Sequence, residues 1–350
     1  MNTKTSAEFT SASAVINKTR SGVQSEPGNL GYLGEKRARS YLATQGFVIP
    51  KGQFLDVVAA ELEQLECEQL TVFEPGVGPG LVPAHLIRAG VPSKFQQCRY
   101  IGADQNREML EYAKQLCAES DGAHAGNGAR RMGLQLVVDL DLTNRSSELY
   151  RTLAQEQVDV VILSQFQHYF PNATASRLAK KLSADGRNFM SKSEADRLFY
   201  DMLKPGGLLA VLDDYTAATA EEHEWNLGLW DAFVVANLRA PENLARIRAI
   251  DPEKAAKIAA TYCGVDTGEA IRRCRAARES RREKDHEETW SLTSARASLE
   301  QLYGPERVTV LRHEQLPNFH LLLARKAEEP VAMPVPANVF ADALDQRRAA

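Results

Sequence analysis

The sequence predicts an α/β fold: a doubly wound, seven-stranded, mostly parallel sheet with a C-terminal antiparallel hairpin, plus a helical insert. Three observations predict it. Short, almost continuously apolar runs alternate with stretches of helical spacing, the pattern of strands buried on both faces of a parallel sheet. The last two such runs are joined by a segment too short to hold a helix, so they should pair antiparallel. Finally, residues 70–80, LTVFEPGVGPG, put glycines at every second position between a strand and a helix. That arrangement brings backbone N–H groups and a helix N-terminus close to a ligand.

Each element follows from local chemistry. Residues 1–28 are rich in Ser, Thr and Asn, lack periodicity, and are expected to form a flexible segment. A glycine-rich turn over 28–34 leads into a helix over 35–45, with Ala38, Tyr41 and Leu42 on one face and Gly46 as its stop. Residues 54–65 carry apolar side chains at i, i+3 and i+4 spacing, as an amphipathic helix does. The first strand spans 70–73, with Glu74 at its end, and a helix runs over 81–89. A polar loop over 93–99 precedes a second strand, 99–103, that ends at Asp104. A helix over 106–117 turns Met109, Leu110 and Ala113 inward. Residues 120–132 read as a loop, and 134–140 as a third strand ending among Asp139 and Asp141. The fourth strand, 158–164, is very apolar. A helix closes over 195–203 into Lys204-Pro205-Gly206-Gly207, which holds both helix breakers, and the fifth strand spans 208–212. The connection over 219–303 is too long for a plain loop and reads as helical. The hairpin pairs 307–312 with 320–325. The expected division is therefore a core over 29–218, an insert capping the substrate over 219–303, the closing hairpin over 304–326, and a tail over 327–350.

With 350 residues the chain can form one large domain with an insert, or two domains. Its formal net charge of -4 argues against bulk attraction to nucleic acid or an anionic membrane, while leaving room for a local basic patch. The five cysteines include no C-x-x-C pair, which argues against a disulfide framework or a structural zinc site; no metal is expected. The N-terminal stretch has no apolar core of the signal-peptide kind, and no apolar run reaches membrane-spanning length. A cytoplasmic location is the expectation.

The glycine turn is G-x-G-x-G, with Leu81 where a dinucleotide-binding G-x-G-x-x-G would have its third glycine. With an acid two positions before the first glycine, EPGVGPG resembles motif I of the class I S-adenosylmethionine (SAM) dependent methyltransferases. Three further stretches carry the resemblance: YIGADQNREML, VVDLDL, and the pair VDVVILSQFQHYF and MLKPGGLLAVLDD. The resemblance covers roughly 70–212 and, more weakly, the hairpin. It implies SAM as cofactor and S-adenosyl-L-homocysteine as product. It implies a cofactor site built from Glu74 near the methionine end, Gly76, Gly78 and Gly80. Asp104 would take the ribose hydroxyls beside Gln105 and Met109. Asp139, Leu140 and Asp141 would lie near adenine, the two acids competing for its amino group, and Ser164 and Gln165 would stand at the fourth strand's end. A carboxylate offers about four acceptor positions, so Asp104 can take two hydroxyls at once; the residue could equally cap the helix that follows.

His168 follows the fourth strand and is the candidate general base, since imidazole titrates near neutral pH; a loop-shaping role competes with it. Tyr169 and Phe170 read as pocket wall. Asp213, Asp214 and Tyr215 end the fifth strand facing the same crevice, and Tyr32 and Tyr41 could belong to a lid. Trp225, Trp230 and Phe233 read as core of the insert. The Arg-rich stretch 271–284 interleaves with acids at Glu279, Glu283, Glu287 and Glu288, as in a solvated helix face. The resulting expectation is SAM-dependent methyl transfer to the oxygen or nitrogen of a small-molecule substrate, without nucleic acid or membrane. Methylation of RNA or protein, and SAM binding without methyl transfer, stay open. The oligomeric state is also open, a homodimer included.

Overall fold

A computed structural model describes residues 35–44, 51–124, 131–139, 142–144, 147–173, 176–184, 188–284 and 288–328. Residues 1–28, Tyr32, Leu140, Asp141 and most of the 327–350 tail lie outside the described residues.

The main strands are β1 (Gln69–Pro75), β2 (Gln97–Asp104), β3 (Met132–Val138), β4 (Val158–Ser164), β5 (Leu203–Thr216), β7 (Val308–Arg312) and β8 (Phe319–Arg325). They form one sheet in the order β3-β2-β1-β4-β5-β8-β7. The first five pair in parallel, while β8 runs antiparallel to both β5 and β7, as the short 313–318 connection requires. A further two-residue strand, β6 (Trp290–Ser291), extends the end of β5 through Tyr215 and Trp290. It is too short to leave a pattern in sequence.

Alternate residues of a strand face opposite ways. Phe73, Val161, Leu163, Val211 and Leu322 enter one core, and Val72, Val160, Ile162, Leu212 and Leu321 enter the other. Helices cover both faces, so every residue of β4 is buried. That double cover is why the strands read as continuous apolar runs. The chain leaves β1 toward β2 on one side and returns to β4 on the other. The strand order therefore reverses between β1 and β4, which opens a crevice at their carboxyl ends.

Several local expectations are corrected. The Pro205-Gly206-Gly207 breakers do not separate a helix from β5; they lie within it. Pairing with β4 jumps from Val158↔Leu203 to Val160↔Leu208, so Lys204–Gly207 form a bulge, a place where a proline without an N–H costs no ladder bond. The helix Arg107–His124 continues into the expected 120–132 loop, whose residues 125–130 lie outside the described residues. Its docking on the helix Leu81–Arg88 overrides weak propensity: Cys117 packs with Ala84 and Ile87, and Arg88 Nη1 donates to Ser120 Oγ at 2.9 Å. In the expected 93–99 loop, Phe95 is buried in the core and β2 begins at Gln97.

Between β5 and β6 lie the helices Ala220–Arg239, Pro241–Ile250, Pro252–Ile258 and Thr267–Lys284, with a π turn at Ala259–Cys263. They form a small core of their own that includes Val234, Leu238, Ile247 and Ala270. Ala43, from the N-terminal helix Glu35–Thr44, is part of that core. The last helix of the 219–303 stretch, Leu292–Tyr303, instead sends Ala295, Leu299 and Tyr303 into the main core. Trp225 is 61% exposed and is not core. Trp230 is half-buried against Phe319 of β8. In the Arg-rich helix, Arg272 and Arg273 bond to Glu269, while Arg278 makes two 3.0 Å bonds to the buried Asp231.

Candidate functional site

The glycine turn after β1 lies at the mouth of the crevice. Gly76, Gly78 and Gly80 all have positive φ, at 68°, 54° and 77°, a region costly for any residue with a Cβ. The three are glycine for different reasons. A Cβ at Gly76 would stand 2.4 Å from Phe166 Cδ2, and one at Gly80 would stand 2.7 Å from Ala113 Cα. Those two close the turn against β4 and against the helix Arg107–His124. A Cβ at Gly78 would meet nothing nearer than Tyr41 Cε1 at 3.9 Å. Gly78 therefore leaves a space where a ligand can reach the backbone.

That space belongs to a cavity open to solvent. Gly76, Gly78, Asp104, Gln105 and Met109 line one side, Ser164, Gln165, Phe166 and Tyr169 the other, with Tyr41 and Leu142 completing the wall. Asp104 Oδ2 accepts from the Gly78 N–H at 2.9 Å and Oδ1 from the Asn106 N–H at 2.8 Å. These bonds place the carboxylate beside the open glycine, with acceptor capacity to spare. The capping role falls to Asn106, whose Oδ1 takes the Glu108 N–H at 3.0 Å. Burial pushes the Asp104 carboxyl up to about 6, and the N–H groups of Asn106, Gly78 and Gln105 oppose the rise.

Other expected residues stand behind this wall. Glu74 is buried and accepts from Tyr100 Oη at 2.5 Å, which supplies the donor that a buried strand-end acid needs. Burial pushes it up to about 8; Tyr100 and Lys51 pull down and Asp104 adds to the rise. Lys51 Nζ donates to Ser164 Oγ at 2.8 Å beneath the cavity floor, and burial lowers this lysine to about 8 against the pull of Glu74 and Asp213. Gly80 packs on Ala113 and does not line the cavity. Asp139 follows β3, where Ser147 Oγ donates to its Oδ2 at 2.6 Å. Its competitor Asp141 and the neighbouring Leu140 lie outside the described residues.

His168 sits in a single turn after β4, its ring centroid 4.4 Å from that of Tyr169. Its Nδ1 lies 2.8 Å from Asp213 Oδ1, and its backbone N–H donates to Asp213 Oδ2 at 3.2 Å. Burial would raise Asp213, but the charge and hydrogen bond of His168, the Asp214 N–H and Lys192 together hold it below the ordinary carboxylate range. Such a pair orients an imidazole and stabilises its charged form. Ligand-capable atoms of His168, Asp213 and Asp214 lie within 4.8 Å of one another and could hold a cation; the His168–Asp213 hydrogen bond accounts for that pair without one. Tyr215 is turned away from the crevice, donating to Gln167 Oε1 at 3.1 Å in the core, and Phe170 is likewise fully buried.

Sequence reasoning missed Lys51, Leu142 and Phe166. Phe166 left a signal, an aromatic two residues past the strand in SQFQHYF, but its partner Gly76 is remote in sequence. It also missed Lys192, which is buried and donates to Asn172 Oδ1 at 2.5 Å and to the Glu288 carbonyl. With the Glu288 N–H donating to the His168 carbonyl at 2.8 Å, this ties the approach to β6 to the loop carrying His168.

Two observations fit SAM, whose ribose brings two hydroxyl donors: an open glycine at positive φ and a carboxylate beside it with acceptor capacity left. No protein-family model and no curated protein matches this sequence. Among solved structures, the chain is similar to an O-methyltransferase family protein from Burkholderia thailandensis, at 14% identity over 84% of this chain and 60% of that one, with a TM-score of 0.44. It is similar to the CurJ carbon methyltransferase at 13% identity over 84% and 59%, TM-score 0.45. It is also similar to a SAM-dependent methyltransferase from Thiobacillus denitrificans, in complex with S-adenosyl-L-homocysteine, at 15% identity over 83% and 97%, TM-score 0.34. The chain thus spans about 60% of the length of the first two.

Proposed function

We propose that this protein is a class I SAM-dependent methyltransferase acting on the oxygen or nitrogen of a small-molecule acceptor. The observation that carries the proposal is Asp104, held by the Gly78 N–H at the one glycine of the turn that faces open space, in the crevice where the strand order reverses. When bound, SAM supplies a methyl group already activated by its sulfonium. What this chain adds is placement. Asp104 takes the ribose hydroxyls, and Gly78 lets the ligand approach the backbone. Holding both reactants in line contributes about 7–11 kcal/mol toward the barrier, so a strong base is not required. His168 serves as that base where the acceptor must lose a proton: Nδ1 keeps its bond to Asp213, and Nε2 takes the proton. Two features support a small acceptor. Tyr41 reaches the cavity from a helix docked on the insert, which narrows the entrance. In the helix Thr267–Lys284, Arg272, Arg273, Arg275 and Arg278 are engaged with Glu269, Glu224 and Asp231.

Thermal melting with S-adenosyl-L-homocysteine, with NAD as control, tests the cofactor. A ligand at 100 times its Kd adds about 2.7 kcal/mol. S-adenosyl-L-homocysteine should raise the melting temperature of the wild type by a few degrees and leave Asp104→Ala unmoved, while NAD moves neither. No shift of the wild type at saturation would overturn the proposal. With an acceptor found by screening, His168→Gln should keep its affinity for S-adenosyl-L-homocysteine and lose about 10²–10⁴-fold in methyl transfer.

A further inference from the structure

The turn after β4 is clamped to the segment by which the chain returns from the insert. The Glu288 N–H donates to the His168 carbonyl at 2.8 Å, and the Asn172 N–H donates to Glu288 Oε2 at 3.1 Å. Asn172 Nδ2 donates to the Thr289 carbonyl at 3.1 Å. Just beyond, β6 pairs with the end of β5, Trp290 opposite Tyr215. The returning segment therefore touches both the loop that carries His168 and the strand end that carries Asp213.

Lys192 closes this clamp from an unfavourable place. Its Nζ donates to Asn172 Oδ1 at 2.5 Å and to the Glu288 carbonyl. The residue opens the helix Lys192–Met202, where the helix dipole disfavours a cation. It is also buried, and burial pushes the ammonium down to about 8. Both hydrogen-bond acceptors are neutral, and a neutral amide has two N–H donors of its own. The clamp alone does not call for a charge. The charge is answered first by Asp213, then by Glu288, Asp214 and Asp196. Its strongest attraction is thus to the acid that holds His168 Nδ1 at 2.8 Å. A buried charge kept against these costs, beside a pair that can move a proton, points to a functional task. Resting on the reading of His168 as the base of methyl transfer, we infer that Lys192 is a positioning residue for His168. It fastens the insert's return to the His168 loop and draws Asp213 with its charge, so that Nδ1–H stays on Asp213 and Nε2 is left for the acceptor. The insert and the proton-accepting imidazole are then mechanically joined.

NMR of the full chain carrying isotope-labelled histidine reads this arrangement without an acceptor. An imidazole N–H held by a buried carboxylate exchanges slowly with water and gives its own proton signal; His168→Gln identifies the one that belongs to His168. The wild type should show a protected His168 Nδ1–H. Lys192→Met should lose that signal, keep the signals of the other histidines, and bind S-adenosyl-L-homocysteine in calorimetry as the wild type does. Asn172→Ala keeps the buried charge and removes the Asn172 side-chain bonds of the clamp. It should lose the same signal, and it decides the matter should Lys192→Met fail to fold. A protected His168 Nδ1–H that survives in the folded variants would overturn the inference, as would a wild type that lacks one. Disturbance of all the histidine signals together would overturn it as well, because Lys192 would then serve the fold alone. The SAM reading fails separately: a wild type that does not bind S-adenosyl-L-homocysteine removes that reading, while the His168 signal still reports on Lys192.

Discussion

At the scale of single residues, three glycines of one turn separate folding from binding. Gly80→Ala must fit a Cβ 2.7 Å from the Ala113 backbone at φ 77°. It should lower stability by about 2–5 kcal/mol in urea denaturation, from the left-handed backbone and the overpacking together. Gly78→Ala pays only the backbone term, about 1–2 kcal/mol, yet its methyl enters the cavity. It should weaken S-adenosyl-L-homocysteine more than tenfold in calorimetry; equal binding by both variants would contradict the placement of Gly78. Asp104 adds a pH dependence. Its carboxyl is raised to about 6 by burial, and its charged form is the better acceptor for hydroxyls. Ligand affinity should fall as pH drops through about 6, and Asp104→Asn should lose most of that dependence. These residues were legible because a strand end, glycines and an acid at the next strand end are close in sequence. Phe166, Lys51 and Lys192 were not, because each matters only through a partner brought close by folding.

At the scale of elements, the insert and the N-terminal helix pack together. Lys254 Nζ, on the insert, donates to the Ser40 carbonyl and to Thr44 Oγ1 at 3.0 Å, and Ala43 is buried in the insert's core. Tyr41, between these anchors, lines the cavity. Lys254→Met should therefore speed hydrogen exchange in residues 35–44 and weaken the protection that S-adenosyl-L-homocysteine confers there, with β1 and β4 unchanged. Unaltered exchange in 35–44 would show that apolar packing alone holds the helix. The periodicity of 35–45 predicted this helix but not its partner, since an apolar stripe specifies burial without saying against what. The same reason explains the Leu292–Tyr303 helix, which reads like its neighbours in the insert and packs instead on the sheet.

At the scale of the whole molecule, buried acids set the response to pH. Burial raises Glu74 from 4.5 to about 8, Asp196 from 3.8 to about 7 and Asp104 from 3.8 to about 6. The folded state thus holds protons that the unfolded chain releases, a contribution complete below the ordinary carboxylate values and lost as pH rises through 6–8. Lys51 and Lys192, lowered from 10.5 to about 8, work in the opposite sense and recover stability only above that pH. The ligand-free melting temperature should therefore fall between pH 5 and pH 8. Glu74→Gln, which keeps an acceptor for Tyr100 and has no proton to lose, should flatten the upper part of that fall; an unchanged slope would mean Glu74 is not protonated in the folded state. The pattern of apolar runs and glycine turns determined, from sequence alone, the strand sequence, the closing hairpin and the position of the crevice, because those depend on local spacing and on connections too short to allow another path. Only the tertiary structure decided which glycine faces open space, which acids stand behind the wall, and that the N-terminal helix carrying Tyr41 packs on a distant insert. Those outcomes are contacts between residues remote in the chain, and no local pattern encodes them.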